Sequence, residues 1–229
     1  MADLVDPRWP RLLGLAVHEF RTPISVVAGY IRMLLKDRAG PITDQQRRLL
    51  EEAEKSCGRL SGLVAEMSEL SNLEAGTATF NRVAIDLRDV LRDAVAAVPS
   101  LPERDLSIDL HVENGSAPIQ GDAVRLRAAL GSLLFAVRRE LVSTAQLTVR
   151  EASRAIDGRP ASAIAMGDQV QVDRLLSARP ADLTTFDEWR GGCGLTLAIA
   201  RRVLAAHGAR LHGPADGAKA AVLIGFPHS

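Results

Sequence analysis

One heptapeptide in this 229-residue chain concentrates reactive side chains at helical spacing: Val17-His18-Glu19-Phe20-Arg21-Thr22-Pro23. A neutral imidazole is a competent nucleophile near neutral pH, so His18 can accept an electrophilic group. Glu19 follows about 100° around a helix, close enough to accept the ring's other N–H and to stabilise developing charge. Thr22 comes four residues on, on the same face as His18, and its hydroxyl can position a water. These groups suit covalent transfer to and from a histidine nitrogen. A second concentration is the glycine-rich run Gly191-Gly192-Cys193-Gly194, which leads into a helical pattern. Glycines before a helix also serve close helix–sheet packing, so Gly192 and Gly194 by themselves do not establish a ligand site. His111, His207, His212 and His228 have no metal-ligand spacing to cysteines or carboxylates and read as structural or surface groups.

The elements that must position these residues follow from hydrophobic periodicity. Residues 11–37 carry Leu12, Leu15, Phe20, Ile24, Val27, Ile31, Leu34 and Leu35 at helical intervals, with Pro23 inside the run and a kink expected there. Gly40-Pro41 interrupts, and Thr43 with Gln46 fits a capping box opening a second helix to about Glu74. The short break predicts an antiparallel hairpin. A lone hairpin cannot bury two broad apolar stripes, so a homodimer closing a four-helix bundle is expected. Beyond it, helices are predicted over 86–98, 122–141 and 194–207. Strands are predicted over 106–112, 145–152, 161–166 and 220–226, with another at Leu211, and the 145–166 pair turns at Asp157-Gly158. Helices and strands mix without strict alternation, which gives a two-layer α/β domain. The expected division is 11–75 and 80–229.

Composition narrows the function. Apolar residues make 47% of the chain but aromatics only 3%, so the core is aliphatic. The formal net charge of zero lacks the basic footprint of a nucleic-acid binder. No apolar run reaches the roughly 18 residues that span a bilayer, and the N-terminus has no signal-peptide core. A cytoplasmic location is expected, with Cys57 and Cys193 as reduced core residues.

His18-Glu19-Phe20-Arg21-Thr22-Pro23, on the first helix of a hairpin, resembles the dimerisation and phosphotransfer domain of sensor histidine kinases. The run from Gly191 to Ile199 resembles the last glycine-rich box of that family's ATP-binding domain. Asp122-Ala123-Val124-Arg125-Leu126-Arg127 resembles the start of the helix carrying its magnesium-binding asparagine. The likeness covers about residues 11–227. It implies an α+β chain: a dimeric four-helix bundle followed by a two-layer sandwich of the Bergerat ATPase type. It also implies His18 as phospho-acceptor, Thr22 at the phosphatase position and a response-regulator receiver domain as partner.

The nucleotide motifs depart from the family pattern. Its asparagine positions fall on Ser132 and Ala136, and the helix contains no asparagine. Alanine cannot ligate magnesium, which requires oxygen donors. Arg138 and Arg139 are candidate phosphate-binding cations. The adenine-reading Asp-x-Gly-x-Gly segment matches Asp168-Gln169-Val170-Gln171-Val172, with valines for both glycines, and Phe186 resembles the lid phenylalanine. Asp168, Gly192 and Gly194 would be what remains of the nucleotide site, and no metal ligand is assigned. Three functions fit: a phosphotransfer protein that exchanges phosphate between His18 and a receiver aspartate and needs no cofactor of its own; an active histidine kinase using ATP and Mg2+; and a non-catalytic dimeric scaffold.

Overall fold

Helix α1 (Trp9–Leu35) and helix α2 (Asp44–Glu74) form the first of two compact units, Met1–Ala78. The computed structural model describes residues 8–99, 106–142, 144–156, 159–189, 193–218 and 220–227. Helix α1 continues unbroken through Pro23. The capping box at α2 is present: the Gln46 N–H donates to Thr43 Oγ1 at 3.3 Å, and the Thr43 N–H donates to Gln46 Oε1 at 2.8 Å. Such a cap stabilises a helix by about 1 kcal/mol. Arg47 ties the connection together, donating to the Leu35 carbonyl at 2.8 Å and to the Asp37 carboxylate at 3.0 Å.

The hairpin buries Leu13, Val17, Ala28 and Ile31 of α1 and Cys57, Val64 and Leu70 of α2. Ser71 Oγ donates to the Pro10 carbonyl at 2.8 Å and fastens the open end. Much of the apolar content remains outside this seam. Leu12, Leu15, Phe20, Val26, Val27, Tyr30, Leu49, Leu60 and Leu63 are all exposed. The predicted stripe is therefore two faces, one closed within the hairpin and one open.

The second unit, Thr79–Ser229, is built on a six-stranded sheet. Its elements in order are β1 (Val83–Asp86), α3 (Leu87–Ala96), β2 (Ser107–His111), β3 (Pro118–Gly121), α4 (Ala123–Glu140), β4 (Gln146–Ile156), β5 (Arg159–Gly167), α5 (Gln169–Ser177), β6 (Leu183–Thr185), α6 (Thr196–Ala206), β7 (Arg210–Pro214) and β8 (Val222–Pro227). The sheet order is β2-β4-β5-β8-β7-β6, and β1 pairs with β3 as a separate ribbon. Among the described pairings of this sheet, β2–β4 is parallel and the others are antiparallel. Strands β4 and β5 form the expected antiparallel pair, from Thr148 opposite Gly167 to Ile156 opposite Arg159. Their turn at 157–158 lies outside the described residues.

Strand alternation separates two faces. Glu151 and Ile164 are paired, and Glu151 takes Arg88 of α3 at 2.8 Å, so this face carries the layer of α3, α4 and α6. Ala163, Ala165, Ala221 and Leu223 point the other way and pack against Val172 and Leu175 of α5. The two-layer sandwich thus gains a short helix on its second face. Strands β1, β3 and β6 and helix α5 are additions to the elements expected from sequence.

Candidate functional site

His18 and Glu19 sit on the exposed side of α1, beside Val17, which turns into the hairpin seam. Their side chains are 78% and 71% exposed, and His18 Nδ1 lies 3.3 Å from Glu19 Oε1. The carboxylate thus engages one ring nitrogen and leaves Nε2 for chemistry. Thr22 and Phe20 are exposed on the following turn. A macromolecular substrate can approach this face without displacing any packed side chain. The helix fixes the spacing of all three groups, so their arrangement does not depend on a loop.

The other candidate residues are in a different condition. Asp168 is the N-cap of α5: its Oδ1 accepts the Gln171 N–H at 2.8 Å, and its carbonyl accepts the Val172 N–H at 2.9 Å. The helix includes Val170 and Val172, the two positions where the family pattern has glycines. Val172 is fully buried in the core of the second sheet face, while Val170 is exposed. On α4, Ala136 is 1% exposed, and Ser132 Oγ donates to the Ala128 carbonyl at 3.0 Å. Arg138 is not free to bind phosphate: it is buried and donates to the carbonyls of Pro99 and Leu106, both at 2.8 Å. Arg139 stays exposed, with its guanidinium 5.9 Å from the Phe135 ring centroid and 3.9 Å from Cys193 Sγ. Phe186 and Glu188 are both buried. Glu188 pairs with Arg201 at 2.6 Å and with Arg202, both on α6. Gly194 takes the left-handed conformation, φ 57°, just before α6. Gly192 lies outside the described residues.

Residues 11–76 match the His Kinase A (phospho-acceptor) domain family. Over 221 residues, 92% of this chain, the sequence is 30% identical to the circadian input-output histidine kinase CikA of Synechococcus elongatus, of which it covers 29%. It is 29% identical to the phosphate regulon sensor protein PhoR of Pseudomonas aeruginosa, across 85% of this chain and 44% of that one. A crystal structure of full-length ShkA in complex with AMPPNP superimposes with a TM-score of 0.66 at 26% identity, covering 95% of this chain and 46% of that one. This chain belongs to the sensor histidine kinase family.

The histidine kinase AdeS of Acinetobacter baumannii shares the fold, with a TM-score of 0.54 at 20% identity. The chain spans less than half the length of the curated histidine kinases named above. The residues matched to the phospho-acceptor domain family are those of the hairpin, and a helical hairpin followed by an α/β sheet unit is the family's fold. Magnesium lacks a ligand at the second of the two asparagine positions. Ala136 has no donor, Ser132 Oγ donates its hydrogen to its own helix, and Asp168 Oδ1 caps α5. Among the described residues no group of three or more His, Cys, Asp or Glu side chains could hold a metal. Among the described residues no helix is long and apolar enough to cross a membrane.

Sequence reasoning missed two polar clusters. One is Arg88 with Glu151; the other surrounds His207, which contacts Asp122. Their partners are 63 and 85 residues apart, so no local pattern announces them.

Proposed function

We propose that this protein works in a two-component phosphorelay as a phosphotransferase. His18 exchanges phosphate with the receiver-domain aspartate of a response regulator. The observation that carries this reading is the contrast between an exposed, helix-fixed His18–Glu19 pair and an Asp168 committed to capping α5. In the forward step, the lone pair of His18 Nε2 attacks the phosphorus of the receiver's acyl phosphate. The phosphorus–oxygen bond to the aspartate breaks, and the carboxylate leaves with its electron pair. Glu19 holds Nδ1–H and stabilises the positive ring as it forms. The reverse step returns the phosphoryl group to an aspartate. The receiver supplies its own metal, so neither direction needs a nucleotide site here. Thr22 holds a water for hydrolysis of the receiver's acyl phosphate.

A homodimer is part of this proposal. The open apolar face of the hairpin, from Leu12 to Tyr30 on α1 and at Leu49, Leu60 and Leu63 on α2, is what a second hairpin would cover.

The similarity to a structure solved with AMPPNP favours a second reading, an ATP- and Mg2+-dependent kinase that phosphorylates its own His18. Calorimetric titration with ATP and magnesium separates the two. The proposal expects no saturable binding into the millimolar range, and micromolar magnesium-dependent affinity would establish the second reading.

A further inference from the structure

The α/β unit begins with a strap, residues 79–82, that runs into β1, and this strap is fastened at one point. The Phe80 ring meets the His207 imidazole edge to face, with centroids 5.3 Å apart and planes at 85°. The Arg82 and Arg125 guanidiniums lie 5.5 and 5.0 Å from the Phe80 ring centroid. The Asn81 N–H donates to Asp122 Oδ2 at 2.9 Å, and Arg82 Nη2 donates to the Ala206 carbonyl at 2.6 Å. Strap, α4 N-terminus and α6 C-terminus converge on His207.

The hydrogen bonds define the protonation state of that imidazole. Nδ1 lies 2.7 Å from the Val203 carbonyl, which can only accept, so Nδ1 carries the hydrogen. Nε2 lies 3.0 Å from the Asp122 N–H, which can only donate, so Nε2 carries a lone pair. The fit is close, since a Cβ on Gly121 would meet His207 Cδ2 at 3.2 Å. The arrangement accommodates the neutral ring only.

We propose that His207 is a proton-operated latch for the strap: a proton on Nε2 removes the acceptor of the Asp122 N–H and releases residues 79–82 from the α/β unit. The charged groups facing the ring are Arg82 of the strap and Asp122 and Arg125 at the start of α4. The two arginines oppose a charged imidazole. Asp122 favours one, but its oxygens already accept the N–H groups of Asn81 and Arg125. A turn of Asp122 toward the imidazolium gives up the Asn81 bond, so either response loosens the strap. Burial, the largest influence, holds the His207 pKa below its ordinary value, so the latch is closed at neutral pH and opens in acid.

The test is amide hydrogen exchange on the full chain at pH 7.5 and pH 5, corrected for intrinsic rates. Protection at Asn81 and Asp122 should fall by up to about tenfold per pH unit between the ring's ordinary and folded pKa values, and level off below the folded one. Protection in the β4–β5 pairing should stay constant. His207→Gln, whose uncharged amide retains an acceptor, should show no acid-dependent loss at the strap. Should that variant not fold, the 15N titration of the unmodified protein decides. A shared midpoint for Nε2 and the Asp122 amide supports the latch. The proposal is overturned if strap protection tracks the sheet at both pH values, if His207→Gln loses protection in acid equally, or if the ring titrates without moving the Asp122 amide.

Discussion

The two units of this chain spend their polar groups differently. On the hairpin, His18, Glu19 and Thr22 are exposed, and nothing in the fold consumes them. In the α/β unit, the corresponding groups have been absorbed by structure. Asp168 caps a helix, Arg138 satisfies two carbonyls, Glu188 is buried between arginines, and Val172 fills a core. Reactive chemistry needs side chains that folding leaves available. In the proposed function the chemistry lies in the first unit, and the second serves as a folded body.

His18→Ala gives the largest expected effect. It should abolish phosphate exchange with a receiver while leaving the thermal midpoint unchanged, because the ring is exposed and makes no packing contact that folding needs. The opposite profile is expected from Glu151→Ala. Removing this carboxylate strands the buried Arg88 guanidinium and should destabilise the α/β unit by about 3–5 kcal/mol. His18 transfer should survive at temperatures where the unit remains folded. Denaturant unfolding alongside a transfer assay reads both. Loss of transfer in folded Glu151→Ala would break the division between the units.

The hairpin itself contains a similar pair. Ile31 packs on Ala28 and Cys57, so Ile31→Asp should unfold the hairpin, at a cost of several kcal/mol for an unpaired buried charge. Leu60 is exposed, and Leu60→Asp should leave a folded hairpin that is monomeric by light scattering. A dimeric Leu60→Asp protein would remove the open face from the proposed interface. Thr22→Ala should spare transfer and slow receiver dephosphorylation by about 10²-fold, measured as phosphate release.

The smallest effect is on pH-dependent stability, and it belongs to the α/β unit. The His207 pKa is lowered, chiefly by burial, so its contribution is present above the ordinary histidine value and is lost as pH falls through the folded one. At Asp86, burial pushes the pKa up, but bonds from Ser116 and the Arg88 and Ala117 N–H groups outweigh it and the net direction is down. That stability is present above the ordinary aspartate range and disappears as pH falls through the folded value. Urea midpoints followed from pH 8 to pH 3 should decline in two stages.

Much of the hairpin was legible in the sequence because its signals are local. Thr43 and Gln46 are three residues apart and form the predicted cap, and His18 and Glu19 are adjacent. Helix α4 was legible for the same reason, with Asp122 as its N-cap. Helix α5 was not, because Gln169-Val170-Gln171-Val172 alternates like a strand. Its identity depends on the Asp168 cap and on Val172 and Leu175 meeting the sheet. Strands β1, β3 and β6 have only three or four residues each, too few for a period to register, and are defined by pairing with distant partners. The role of His207 depends on Asp122 and Phe80, both brought to it by tertiary structure.

The central claim is that phosphate reaches His18 from a receiver and not from nucleotide bound by this chain. The direct measurement offers both sources to the same protein in parallel: γ-labelled ATP with magnesium, and a receiver domain carrying labelled acyl phosphate. Acid-labile label on His18 from the receiver, and none from ATP, is the predicted result. Label on His18 from ATP alone, absent in His18→Ala, would contradict the account and make the α/β unit a working kinase domain.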